Sequence, residues 1–274
     1  MFKRIKVSAT IAITPHQKSN RLREYAMRYI IVLFLVLCPF ISQAQEEGQE
    51  DVIYEAVLLT PDHTQLEAFQ EAMAEHNQTF HNEQGPYHSN VWAVSTGPNA
   101  GKMIWTMGPL SSYAQLDNRP SGEHDDHWQN VVMPTVKSTE TVEYWKLNQE
   151  WSNPVEGDYS MAYVRLHTIN SKYGFLFNDA MEKLSGTIKA LDENPAFYTY
   201  VNEFQQGDIG RHVATMSFHN NMASLDDDWD FRNTFEEIYS RGDWDRWTRT
   251  MDLVMENQYD EIWVLVPELS GSQE

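Results

Sequence analysis

Ten histidines are spread over 274 residues, and three groups of them have companions that could do chemistry. The first is the run Glu123-His124-Asp125-Asp126-His127. It sets two imidazoles among carboxylates, and His124, Asp126 and His127 are donors that suit zinc or a similar divalent cation. The competing reading is a solvated helix entry, with Asp residues near the positive end of the helix dipole. The second group is His76, His81 and His88. Helical spacing places His76 on an apolar stripe beside Met73 and Phe80, with His81 near the helix end and His88 opening the next strand. A buried imidazole there could ligate an iron centre such as haem or move a proton. It could equally be a core histidine with a hydrogen-bonded partner. The third group is Tyr163, Arg165 and His167, alternating along one strand, with His212 on its expected neighbour. An arginine so placed could hold a carboxylate or another anion, and a water-filled polar lining is the alternative. The sequence has no Gly-rich phosphate loop, no G-x-S-x-G elbow and no H-E-x-x-H. Familiar nucleotide, serine-hydrolase and zincin chemistries are therefore not indicated.

The elements that must position these residues follow from a repeat. Gly101-Lys102-Met103-Ile104-Trp105-Thr106-Met107 and Gly210-Arg211-His212-Val213-Ala214-Thr215-Met216 keep register without a gap, and the likeness continues to Leu116-Asp117 and Leu225-Asp226. Glu143-Tyr144-Trp145-Lys146-Leu147 likewise matches Glu261-Ile262-Trp263-Val264-Leu265, and Asp126-His127-Trp128 matches Asp245-Arg246-Trp247. Such self-similarity points to a duplicated supersecondary unit.

In chain order, residues 1–44 come first. From Met27, the apparent start, a basic residue precedes the apolar run Ile30 to Leu37, and small residues follow at Ser42 and Ala44. This pattern predicts a secretory signal peptide cut after Ala44, hence an exported protein, periplasmic or extracellular. Lipidation at Cys38 is the alternative, but Leu37 sits where a small residue is usual. No later segment approaches the ~20 apolar residues of a membrane span. Of 20 Lys+Arg and 40 Asp+Glu, 13 and 39 remain beyond Ala44, a net charge of −26. That balance disfavours nucleic acid, since phosphate binding needs clustered Lys and Arg. The one cysteine leaves with the leader, so the exported chain must be stable through its core.

Residues 52–149 then read strand (Val52 to Thr60), helix (through Phe80), strand (Tyr87 to Ser95), strand (Lys102 to Gly108), a broken helical region from Ser111 to Lys137, and strand (Glu140 to Asn148). Residues 159–267 repeat the order. Their strands are Tyr159 to Thr168, Phe197 to Phe204, Gly210 to Phe218 and Glu261 to Val266, and their first helix runs from Lys172 to Leu191. Each half is β-α-β-β-α-β, the ferredoxin-like unit, giving an α+β chain of two tandem ferredoxin-like repeats. Helices on one face leave the other face bare, and the economical cover is to pack the two sheets together. Val57, Leu59, Val164 and Leu166 are expected on one row. Ala56, Leu58, Tyr163, Arg165 and His167 are expected on the bare row, facing the space between sheets. The segment Ser270 to Glu274 reads as a tail.

This order and repeat resemble the dimeric α/β-barrel superfamily in tandem single-chain form. That superfamily includes antibiotic-biosynthesis-type monooxygenases, NIPSNAP-like proteins and the haem-binding chlorite dismutases. The resemblance covers residues 52–267 and carries no motif that assigns residues. It implies an α/β barrel with a cavity for a small-molecule ligand, leaves room for a homo-oligomer, and implies haem as one cofactor, with a cofactor-free cavity favoured. Ligand binding is the expected activity, and a cofactor-independent or haem-dependent monooxygenase-like enzyme is the alternative.

Overall fold

The computed structural model describes residues 50–82, 85–204 and 210–271. The leader and the loop Gln205 to Ile209 lie outside the described residues. Eight strands close into one antiparallel barrel. The first half contains β1 (Ile53–Pro61), α1 (Leu66–Phe80), β2 (Ser89–Val94), β3 (Met103–Leu110), α2 (Glu123–His127) and β4 (Val136–Leu147). The second contains β5 (Met161–Ile169), α3 (Gly174–Ile188), β6 (Phe197–Asn202), β7 (Val213–His219), α4 (Phe231–Ile238), α5 (Arg241–Val254) and β8 (Met255–Leu265).

The strand order β1-β3-β2-β8-β5-β7-β6-β4 contains the same 4-1-3-2 pattern twice. The halves join at two seams. At one, Trp92, Ala93 and Val94 of β2 pair with Leu265, Val264 and Trp263 of β8. At the other, Trp145, Lys146 and Leu147 of β4 pair with Asn202, Val201 and Tyr200 of β6. Closure removes the open edges that separate sheets would expose.

The barrel interior holds Ala56, Leu58, Ile104, Trp145, Val164, Leu166, Met216 and Trp263. The outer face of the first half holds Val57, Leu59, Trp105 and Met107 under Phe69 and Met73 of α1. The expected rows are thus half corrected. Val164 and Leu166 share the interior with Ala56 and Leu58, while Tyr163, Arg165 and His167 share the helix-side face with Val57 and Leu59. The reason lies in β1, where Val57, Leu58 and Leu59 are all buried. A strand apolar on both faces offers no alternation by which to match it to β5.

The repeated Glu-x-Trp pairs explain themselves inside the barrel. The Trp145 indole N–H donates to Glu143 at 3.0 Å, and that of Trp263 donates to Glu261 at 2.8 Å. Period-two alternation puts each carboxylate and its indole on the same inward row.

The broken helical region is more fragmented than its sequence suggests. Tyr113–Asn118 is 3₁₀, α2 spans five residues, Trp128–Val132 is a π turn and Met133–Thr135 is 3₁₀. β4 therefore begins at Val136 rather than Glu140. The expected tail is also partly built in, since Leu269 and Ser270 are buried. The Ser270 hydroxyl accepts the Val91 N–H at 3.1 Å, and the Gly271 N–H donates to Ser89 at 3.0 Å.

Candidate metal centre

The insertion between β3 and β4 folds over α1 and merges two of the three histidine groups. His76, His81 and His124 offer ring nitrogens that lie within 4.8 Å of one another. His76 is fully buried and His81 nearly so. Asp126 stays exposed on the outer side of α2 and is not part of this group, whose other two imidazoles come from α1 and its C-terminal cap. Helical geometry supplies the reason, since His124 and His127 are three apart and share a face that Asp126 does not.

Each of the three rings has its Nδ1 occupied. His81 Nδ1 is 2.7 Å from the Tyr87 carbonyl oxygen, which accepts from it. His124 Nδ1 is 2.9 Å from the Asp125 carboxylate. His76 Nδ1 is 3.3 Å from His127 Nδ1, and the far nitrogen of His127 is 3.8 Å from the Glu75 carboxylate. A carbonyl and a carboxylate at Nδ1 favour the tautomer that leaves Nε2 of His81 and of His124 as a lone pair. His81 Nε2 and His124 Nε2 face each other at 3.2 Å, and His76 Nε2 is buried without a hydrogen-bond partner. Two lone pairs at that range repel unless a cation lies between them. Zn–N bonds of about 2.0–2.1 Å at tetrahedral angles put neighbouring nitrogens about 3.3 Å apart. The spacing is that of a ligand pair.

Burial, reinforced by the neighbouring imidazoles of His81, His124 and His127, pushes His76 down to about 3. Burial also pushes His81 down to about 4, against the opposing pull of the Tyr87 carbonyl. Both rings are neutral at pH 7 and release no proton on ligating a metal.

Two ties hold α1 in place. Asn77, next to His76, accepts the Trp105 indole N–H at 2.8 Å and donates to the Leu269 carbonyl at 2.6 Å. At the helix end, Gly271 lies directly against the His81 carbonyl, and a Cβ there would collide with it. His88 lies near enough to His81 to help depress it but adds no ring nitrogen to the group.

The centre borders a cavity of about 540 Å³ whose lining includes Glu55, Trp105, Arg119, Trp128 and Val142. Glu55 is 6% exposed, one of its carboxylate oxygens has no hydrogen-bond partner, and Arg119 stands 3.8 Å away. Burial raises its pKa, against the lowering effects of Arg119 and a hydrogen bond from Tyr144. Glu55, Arg119 and Tyr144 were not legible as site residues; only the register of Glu55 with Met107 on β3 and Tyr144 on β4 brings them together.

The third group sits elsewhere. Tyr163, Arg165 and His167 line a second cavity, of about 560 Å³, under the helices of the second half. Arg165 is committed to Asp260 at 2.7 and 2.9 Å and to the Tyr163 hydroxyl. His167 bonds Thr215 at 3.1 Å, and burial with Arg165 nearby pushes it down to about 4. His212 does not join them. It precedes β7 and accepts the Ile169 N–H at 3.0 Å, and its position in the alternation is opposite to that of Val213 and Thr215. In the first half, Phe80, His81, His124, His127 and Trp128 all place ring centroids within 5.4 Å of His76.

No protein-family model matches the chain, and no curated protein matches it. Among solved structures, a candidate monooxygenase from Fusobacterium nucleatum superposes with a TM-score of 0.51 at 8% identity, over 79% of this chain and 93% of that one. An anthrone oxidase-like protein gives 0.48 at 11% identity over 80% and 92%. Chlorite dismutase from Candidatus Nitrospira defluvii in complex with imidazole gives 0.49 at 9% over 80% and 93%. At these identities the likeness is one of fold, that of the dimeric α/β barrels.

Proposed function

We propose that this chain binds a divalent transition metal through the Nε2 atoms of His76, His81 and His124, and takes a small molecule into the adjoining cavity. The observation that carries this reading is the gathering of three imidazoles whose Nδ1 atoms are engaged. His127 acts from behind, holding the His76 ring. Three neutral ligands leave the ion its full double charge, and three protein ligands leave a position open, as in catalytic rather than structural zinc sites. The oxygenase reading is supported by fold alone, and no residue transfers with it. We further propose that the halves are copies of one unit and that the leader directs export.

The test is metal binding by the apo protein. Zn(II) or Co(II) should bind with one-to-one stoichiometry in titration calorimetry, and Co(II) should give the intense visible bands of a low-coordinate site. His81→Ala and His124→Ala should abolish that binding. His127→Ala should retain it with affinity ~10–100-fold weaker, the usual effect of losing an outer-shell partner. Wild-type protein that takes up no metal would refute the proposal.

A further inference from the structure

We infer that Glu55 is the acid–base residue of this cavity, accepting a proton from a water at the open metal position as that water attacks a carbonyl, and that the reaction class is hydrolysis of a small ester or related acyl compound. The inference rests on the metal reading above.

The argument starts from position. Glu55 projects from β1 to the same side as Val57 and lines the cavity with His76, His81 and His124. The walls combine apolar side chains (Val57, Trp105, Met107, Trp128) with Arg119 and a second carboxylate, Asp125. Carboxylates are almost never buried unless paired, and Glu55 is paired weakly. The Arg119 contact is 3.8 Å long and Arg119 itself is 47% exposed. Among the described residues, the ionisable groups around Glu55 are Arg119 from the β3–α2 connection, Tyr144 from β4, and the imidazoles and Asp125 that line the same cavity. The oxygen without a hydrogen-bond partner, Oε2, is the one that Arg119 faces at 3.8 Å.

The chemistry then balances with water alone. Water loses a proton to Glu55 as its oxygen bonds the carbonyl carbon, and the C–O bond to the leaving group breaks as Glu55 returns that proton to the departing oxygen. No electron transfer or external oxidant is needed. A metal held by three neutral imidazoles is the arrangement that acidifies water most, to a pKa near ~7 in known sites.

The experiment uses Co(II)-loaded full-length protein with 4-nitrophenyl acetate as probe. Wild type should hydrolyse it above the rate of free Co(II). Glu55→Gln should bind Co(II) within about twofold of wild type and lose ~100-fold or more in kcat, the typical contribution of a positioned base. Arg119→Gln, at a partly exposed position, provides a second measurement. Removing the cation makes Glu55 harder to ionise, so the acidic limb of the pH–rate profile should move upward by a few tenths of a unit, the size expected of a weak ion pair. Co(II) binding with no hydrolysis, or with equal rates in wild type and Glu55→Gln, would overturn this inference and leave the metal reading standing. Failure to bind Co(II) at all would remove both.

Discussion

At the scale of single residues, the repeat supplies its own control. His76 falls on the α1 stripe where α3 carries Leu184, because Phe69, Met73 and Phe80 correspond to Phe177, Met181 and Ile188. An ionisable ring with an unpartnered nitrogen is fully buried where its counterpart is a hydrocarbon. Burying an unsatisfied polar group costs about 1–3 kcal/mol. His76→Leu should therefore raise the melting temperature in chelator and abolish metal binding. With excess metal the order should reverse, because only wild type gains from ligand linkage. Melts of both proteins with and without Zn(II) would show the crossing; destabilisation in chelator would mean that the imidazole serves the fold.

This residue also shows how far the sequence could be read. Helical periodicity alone placed His76 on the buried stripe and His81 at the helix end. Two histidines in Glu123–His127 were equally visible as ligands. What spacing could not show is that the two sets meet, since His76 and His124 are brought together by an insertion of irregular turns. Glu55 was hidden for a related reason: in β1 its apolar neighbours are buried on both faces, so nothing marked the side on which it lies.

At the scale of elements, the seam between β4 and β6 is pinned by a buried ion pair. Arg211 lies in the left-handed region, with φ of 57°, just before β7. It reaches Glu143 on β4 with two hydrogen bonds of 2.8 and 2.9 Å and Tyr259 on β8 at 2.7 Å. One strand from each half, β4 and β8, thus meets the guanidinium. Arg211→Met should destabilise by about 3–5 kcal/mol, because it leaves Glu143 charged and unpaired in the interior. Adding Glu143→Gln should recover much of that loss. Urea unfolding of the single and double variants is the measurement, and equal stability of wild type and Arg211→Met would show that the pair pins nothing. The repeat made Arg211 visible as the partner of Lys102, but its role depends on β4 and β8, which no local pattern connects to it.

At the scale of the whole molecule, the histidine cluster of the first half is braced by residues 269–271. Leu269 holds Asn77, Ser270 holds Val91, and Gly271 lies against His81. Truncation before Leu269 removes no ligand, yet it should weaken Zn(II) binding by at least ~10-fold, as losses among supporting groups do. Calorimetry on the truncated chain checks this, and unchanged affinity would show that α1 holds the ligands unaided. The order of elements was legible from the repeat, and the faces of β5 were not. This brace was not, because Ser270 and Gly271 have the composition of a tail.

The two seams carry one more implication, about symmetry. A barrel assembled from two identical chains must make every substitution twice, once in each half. Here one covalent chain closes the same ring, so a change in one half need not be matched in the other. His127 on α2 corresponds by sequence to Arg246, and His76 to Leu184. The helix layer of one half thus carries imidazoles where the matching positions of the other carry a hydrocarbon and a guanidinium. A single polypeptide is thereby free to specialise one side and keep the other as scaffold, a freedom that a two-fold homodimer does not have.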